Sequence, residues 1–136
     1  MADAVQTTAL LVEDFDAEQI TAVRHAVGRG AAAVGLREQR LEDFVLAVNE
    51  IVTNAVRHAG GRGSLRMWVI DGELVCEVTD KGGGIPAERL NGQTLPPSYA
   101  TSGRGLWLAR HLVDGVEVRT GAGGTIVVLR IQTSST

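Results

Sequence analysis

The hydrophobic positions of this chain change their period from one half to the other. Residues 7–12 (Thr-Thr-Ala-Leu-Leu-Val) form a short apolar run that predicts a strand. Beyond it, Ile20, Val23, Val27, Ala31 and Val34 recur at three- and four-residue steps, the spacing of one helix face. Asp14 or Asp16 is placed to cap that helix, and Gly35 to end it. A second helix is predicted over residues 38–57. On a wheel of about 100° per residue, Leu41, Phe44, Val45, Val48, Val52 and Ala55 share one side. Asp43, Glu50, Asn54 and Arg57 fall on the other, with Glu50 and Asn54 one turn apart.

From residue 60 the pattern becomes strand-like. Gly60-Gly61-Arg62-Gly63 reads as a turn. Residues 65–70 and 74–79 are apolar, partly β-branched runs divided by Asp71-Gly72, a strong hairpin signal. Residues 87–102, with Asn91-Gly92 and Pro96-Pro97, lack clear periodicity; a loop of that length is generally functional or mobile. Residues 106–113 predict a short helix. Residues 116–120 and 125–131 predict strands joined by Gly121-Ala122-Gly123-Gly124, and residues 133–136 a frayed tail. Early helices and late hairpins imply an α+β fold: a two-layer sandwich of a mixed, mostly antiparallel sheet with helices on one face. No repeat or linker divides the chain, so residues 1–136 read as one domain.

Composition narrows the function classes. The 136 residues carry 13 basic and 16 acidic side chains, a net charge of -3, and no basic run, which argues against a direct nucleic-acid partner. Cys76 stands alone, so an internal disulfide framework and a cysteine zinc site are excluded; it reads as a small core residue in a reducing compartment. No apolar stretch approaches the ~20 residues of a membrane span, and residues 1–12 lack the features of a secretory signal. A soluble cytoplasmic protein is expected.

Three short motifs carry candidate chemistry. Glu50 and Asn54 put a carboxylate and an amide oxygen on adjacent turns. A hard cation such as Mg2+ takes oxygen ligands, and a carboxylate beside it can accept a proton during phosphoryl transfer. An interior Asn is a poor helix former unless its side chain is used, although a solvated helix face would also explain the pair. Asp80 ends an apolar strand and leads into Lys81-Gly82-Gly83-Gly84-Ile85-Pro86. Its carboxylate can accept from the exocyclic amine of adenine, and Gly82 and Gly84 let the backbone approach a base closely; a tight strand-ending turn is the plain alternative. Gly103-Arg104-Gly105 precedes the predicted helix at residue 106. Free N–H groups at a helix start bind phosphate, and a simple glycine-containing helix start is again the alternative. Neither a Walker A loop nor a dinucleotide G-x-G-x-x-G fingerprint is present.

In this order the motifs resemble those of the gyrase, heat-shock chaperone, histidine kinase and mismatch-repair (GHKL) ATPases, the Bergerat fold. Glu50 to Asn54 is similar to the N motif, Asp80, Gly82 and Gly84 to the first glycine motif, and Gly103 and Gly105 to the second. Gly124-Thr125 resembles the late Gly-Thr whose hydroxyl helps hold adenine. The runs at residues 47–55, 80–86 and 102–108 look most like the stand-alone bacterial anti-sigma factor serine/threonine kinases. The resemblance implies ATP and Mg2+ as cofactors, Glu50 as catalytic base and Asn54 as a magnesium ligand. It implies nucleotide contacts from Asn54, Asp80, Gly82, Gly84, Ile85, Ser102, Gly103, Arg104, Gly105, Leu106 and Thr125, with residues 87–102 as an ATP lid. It implies as partners an anti-anti-sigma (STAS-type) protein, a sigma factor, or both, and a possible homodimer.

One departure matters. Many kinases of that branch carry Arg or Glu just before the Ser-Gly of the second glycine motif, where this chain has Thr101. A nucleotide-gated binding module without phosphotransfer, and a simple ATPase, are therefore the alternatives to a kinase. His25, His58 and His111 lack the setting of a phosphoacceptor and read as surface or helix-end residues. Trp68 and Trp107 lie in apolar stretches and are expected in the core.

Overall fold

The computed structural model describes residues 9–58, 62–80, 97–121 and 124–133, with residues 58 and 97–104 described by their helical backbone alone. β1 (Leu11–Asp16) leads through a single 3-10 turn (Ala17–Gln19) into α1 (Ile20–Ala33) and α2 (Glu38–His58). β2 (Arg62–Ile70) and β3 (Glu73–Asp80) follow, then α3 (Pro97–Leu112), β4 (Gly115–Gly121) and β5 (Gly124–Gln132). The five strands form one sheet in the order β1-β2-β3-β5-β4, and all four pairings are antiparallel.

Local chemistry sets most boundaries. Asp16, not Asp14, is the cap: its side chain accepts from the Glu18 N–H, and Gln19 reaches back to the Asp16 N–H in a capping box. At the other end of α1, the Leu36 N–H donates to Ala31 O and the Gly35 N–H to Ala32 O. Gly35 has φ +112°, so α1 closes in a Schellman turn on its glycine. Asp71 (φ +54°) and Gly72 (φ +79°) give the two left-handed residues of a type I′ hairpin between β2 and β3.

β1 lies later than residues 7–12. Its acidic positions Glu13 and Asp14 are exposed on an edge strand, where charge is tolerated, and Phe15 is its buried anchor. Phe15 packs over Gly63, its register partner on β2. A Cβ there would stand 2.7 Å from Phe15 Cζ and 2.7 Å from Thr79 O. The larger correction concerns α3, which begins at Pro97 rather than beside residue 106. Proline fits the first helical position because its missing N–H would be unbonded there anyway. Gly103 and Gly105 consequently lie inside a helix, not at its start.

Strand alternation sends Leu65, Met67, Leu74, Cys76, Val78, Val127, Leu129 and Ile131 to the inner face. They pack against Val23, Val27 and Ala31 of α1 and Phe44, Ala47, Val48, Ile51, Val52 and Ala55 of α2. Met67 reaches Gly30 of α1, where a Cβ would lie 2.6 Å from its Cε. The outer face alternates charge, with Arg66 near Glu77 and Arg130 between Glu73 and Glu117. These pairs are partly exposed and contribute about 0–1 kcal/mol each.

Both tryptophans fall outside the core. Trp68 alternates with the inward Met67 and takes the outer face, with Arg66 stacked 5.4 Å from its ring centroid. The buried stripe of α3 is Gly105 and Ala109, continued at the same four-residue step by Val113 just beyond its end. Trp107 is off that stripe, 58% exposed, and stacks on His111 at 4.1 Å.

Candidate functional site

The 21-residue α2 has two occupied sides. One meets the sheet and α1. The other carries Glu50 and Asn54, which are half-buried instead of solvated because α3 crosses them at Gly105. A Cβ on Gly105 would stand 2.8 Å from Asn54 Nδ2, 3.3 Å from Glu50 Oε1 and 3.6 Å from Glu50 Cβ. Gly105 is itself buried. Glycine inside a helix costs about 1 kcal/mol against alanine, so its presence here goes with close approach. The first and third sequence motifs thus meet directly, though as helix interior against helix interior. Gly103 and Arg104 lie one turn or less upstream in α3, as does Ser102, and Leu106 packs half-buried against the core.

The second cluster lies on the strands. Asp80 ends β3 and is directly opposed by Gly63 on one side and Thr125 on the other. The Thr125 main-chain N–H donates to Asp80 Oδ1 at 3.2 Å. Asp80 is 9% exposed and Thr125 5%, and they are the buried polar residues among those described. Burying a polar group is costly unless it is paired, so the bond that joins them also fixes how the carboxylate is turned. Gly82, Gly84 and Ile85 lie outside the described residues.

Thr120, on β4, escaped the sequence reading. Its hydroxyl lies 3.0 Å from that of Thr125, its direct register partner. The available signal was alternation: Val116, Val118 and Thr120 share a face, which puts a hydroxyl where a β-branched hydrocarbon would otherwise stand. Cys76 is fully buried two residues from Val78, and burial pushes its thiol far up, as an inert core residue requires.

Among the described residues no three His, Cys, Asp or Glu side chains gather to cage a metal. Mg2+ does not need such a cage: it is commonly held by one or two protein oxygens together with substrate phosphates and water. Asn54 with Glu50 beside it, set close against the backbone of Gly105, fits that sparse donor set.

A separate cleft of about 640 Å³ opens between α1 and α2. Leu41, Val45 and Leu46 line it, with Arg24 and Arg29 at its rim. Neither arginine forms an ion pair among the described residues. The buried Asn49 Oδ1 within it has no hydrogen-bond partner among the described residues.

Residues 14–131 match the family model described as the Histidine kinase-like ATPase domain. The serine-protein kinase RsbW of Bacillus pumilus is 29% identical over 127 residues, covering 83% of this chain and 78% of that protein. The anti-sigma F factor of Pasteuria penetrans is 35% identical over 114 residues, covering 76% of each. Among solved structures, the RsbU and RsbW domains of Rv1364c from Mycobacterium tuberculosis superimpose with a TM-score of 0.67 at 25% identity. That match covers 90% of this chain and 31% of the larger one. With the motifs in order, the fold in agreement and the family match running from the first strand to the last, this chain belongs to the histidine kinase-like ATPases.

Proposed function

We propose that this protein is an ATP- and Mg2+-binding anti-sigma regulator that phosphorylates a serine or threonine of an anti-anti-sigma partner. The observation that carries the reading is the seating of the α3 backbone at Gly105 on the Glu50–Asn54 turn. It brings the acid–amide pair and the second glycine motif, distant in sequence, into one place. Asp80 and Thr125 mark the base end of the same nucleotide, at the rim of the sheet's inner face. In the transfer, the partner's hydroxyl oxygen forms the new bond to the γ-phosphorus while the bond to the β,γ-bridging oxygen breaks and ADP leaves. Glu50 accepts the hydroxyl proton. Asn54 would hold Mg2+, which would supply neutralisation of the phosphate charge. Residues 87–102 are read as the lid over the phosphates, their last part forming the first turns of α3, within one domain spanning residues 1–136.

The names of the relatives support the sigma-factor setting. The α1–α2 cleft supports a protein partner, since its apolar floor and the guanidinium groups of Arg24 and Arg29 suit an acidic amphipathic segment. No helix among the described residues is long and apolar enough to cross a membrane, and a cytoplasmic location belongs to the proposed sigma-directed reading. A homodimer belongs to the same reading and is checked by sedimentation.

The test is incubation with labelled ATP, Mg2+ and cognate anti-anti-sigma candidates. Label on the partner's hydroxyl residue is the expected result; its absence with every candidate overturns the kinase reading. Thr101 favours a second reading, a nucleotide-gated binding module. Tight ATP binding with nucleotide-dependent partner capture, but neither transfer nor hydrolysis, selects that one. Steady ADP release without a partner selects a simple ATPase.

A further inference from the structure

The inner face of the sheet is hydrocarbon and sulfur along most of its length, yet it ends in three polar side chains side by side. Asp80, Thr125 and Thr120 occupy directly opposed positions on β3, β5 and β4. The Thr125 N–H donates to Asp80 Oδ1 at 3.2 Å, and the hydroxyls of Thr120 and Thr125 lie 3.0 Å apart in a part-buried setting. Such a row is costly to bury unless its members serve one another.

A hydroxyl carries a single proton and can accept as well as donate. In a pair of hydroxyls one donates to the other. When Thr120 donates, the Thr125 oxygen accepts and its own proton is directed to a third group. Asp80, as a carboxylate, only accepts. The row then presents an acceptor beside a donor. Adenine is the complement: its exocyclic amine donates and its ring N1 accepts. Guanine presents the reverse at the same positions, a carbonyl oxygen and a ring N–H.

We infer that Thr120 is a positioning residue for base recognition: by donating to Thr125 it aims the Thr125 hydroxyl and so favours adenine over guanine. This rests on the proposed nucleotide site and adds a residue that the three motifs do not contain. Thr120 acts through Thr125, not on the base itself.

The experiment measures equilibrium affinity for the nonhydrolysable analogues of ATP and GTP, with Mg2+, in wild type, Thr120→Val, Thr120→Ala and Thr120→Ser. Thermal melting is recorded for each. Valine keeps the shape and the β-branch but has no hydroxyl; alanine keeps neither and serves if the valine variant misfolds. A hydrogen bond of ordinary net strength is worth up to about tenfold in binding. The expected result is an adenine-to-guanine affinity ratio about tenfold lower in the valine and alanine variants and restored in the serine variant. A purely structural role would lower both affinities together and leave the ratio unchanged, and that outcome overturns the inference while the nucleotide site stands. Wild-type protein that binds both analogues equally overturns the inference while the nucleotide site stands, and wild-type protein that binds neither overturns the nucleotide reading and the inference with it.

Discussion

The two ends of the proposed nucleotide site are built by different physics. At its phosphate end, two helices approach so closely that a Cβ on the α3 glycine would meet side-chain tips, and the proposed functional atoms are those tips, of Glu50 and Asn54. At the base end, three strands in register hold Asp80, Thr125 and Thr120 in a hydrogen-bonded row. The first end depends on the absence of a Cβ and on side chains with freedom to adjust. The second depends on backbone pairing, which fixes its side chains before any ligand arrives. Chemistry is thus expected to fail separately from binding, and the two ends can be told apart by which one a substitution damages.

The largest effect is expected at Glu50. Glu50→Ala removes the proposed proton acceptor, and a positioned base is worth roughly 10²–10⁴-fold in rate. Single-turnover transfer to the partner should fall by that amount, with ATP affinity changed by less than about threefold. Equal loss of binding and transfer would break the comparison, because it would make Glu50 part of the binding end. Next comes Asp80. Asp80→Asn removes the charge from a hydrogen-bonded acceptor, an interaction worth about 1.5–3 kcal/mol. ATP affinity should drop by about 10- to 100-fold in a calorimetric titration, with transfer at saturating ATP largely kept. Unchanged affinity would remove Asp80 from the base end.

The sequence was most readable where one requirement dominated. The α2 stripe of Phe44, Val48, Val52 and Ala55 predicted both the helix and its buried side, since a long amphipathic pattern has one solution. Asp71-Gly72 predicted its hairpin because two left-handed residues in a row admit few sequences. Reading failed where two demands competed. The acidic residues of β1 hid a strand whose one fully buried residue is Phe15, with Leu11 partly buried on the same face. Glycines at 103 and 105 suggested a helix start, whereas Gly105 is needed inside α3 for contact with α2. Trp107 was assigned to the core by its apolar neighbours, but the stripe through Gly105 and Ala109 leaves it outside. The spacing of Glu50 and Asn54 puts them on one side of α2, but their half-burial is not legible in it, because it comes from α3 and not from α2. Thr120 was passed over because a lone threonine in a strand fits β-propensity well enough to need no other reason.

Two glycines give the smaller and more discriminating tests. Gly63 faces Asp80 in register, and a Cβ there meets the Phe15 ring and the Thr79 carbonyl oxygen, both at 2.7 Å. Neither can yield cheaply: one is main chain and the other a buried ring. Gly63→Ala should therefore cost about 1–3 kcal/mol of overpacking, read as a lower denaturant midpoint. Gly105→Ala places its Cβ against Asn54 Nδ2 and Glu50 Oε1, atoms at the ends of side chains that can turn away. The helix also gains about 1 kcal/mol from losing an interior glycine. Stability should be unchanged or slightly higher, while transfer falls by about tenfold and the Mg2+ concentration needed for half-maximal transfer rises, because Asn54 is the side chain displaced. Loss of stability at Gly105 comparable to that at Gly63 would mean that the phosphate end is as rigid as the base end. Unaltered transfer and Mg2+ dependence in a well-folded Gly105→Ala would mean that the seat of α3 on α2 is packing alone. The opposite signs expected for one added methyl group follow from what each methyl meets, a fixed backbone oxygen at one end and a movable amide at the other.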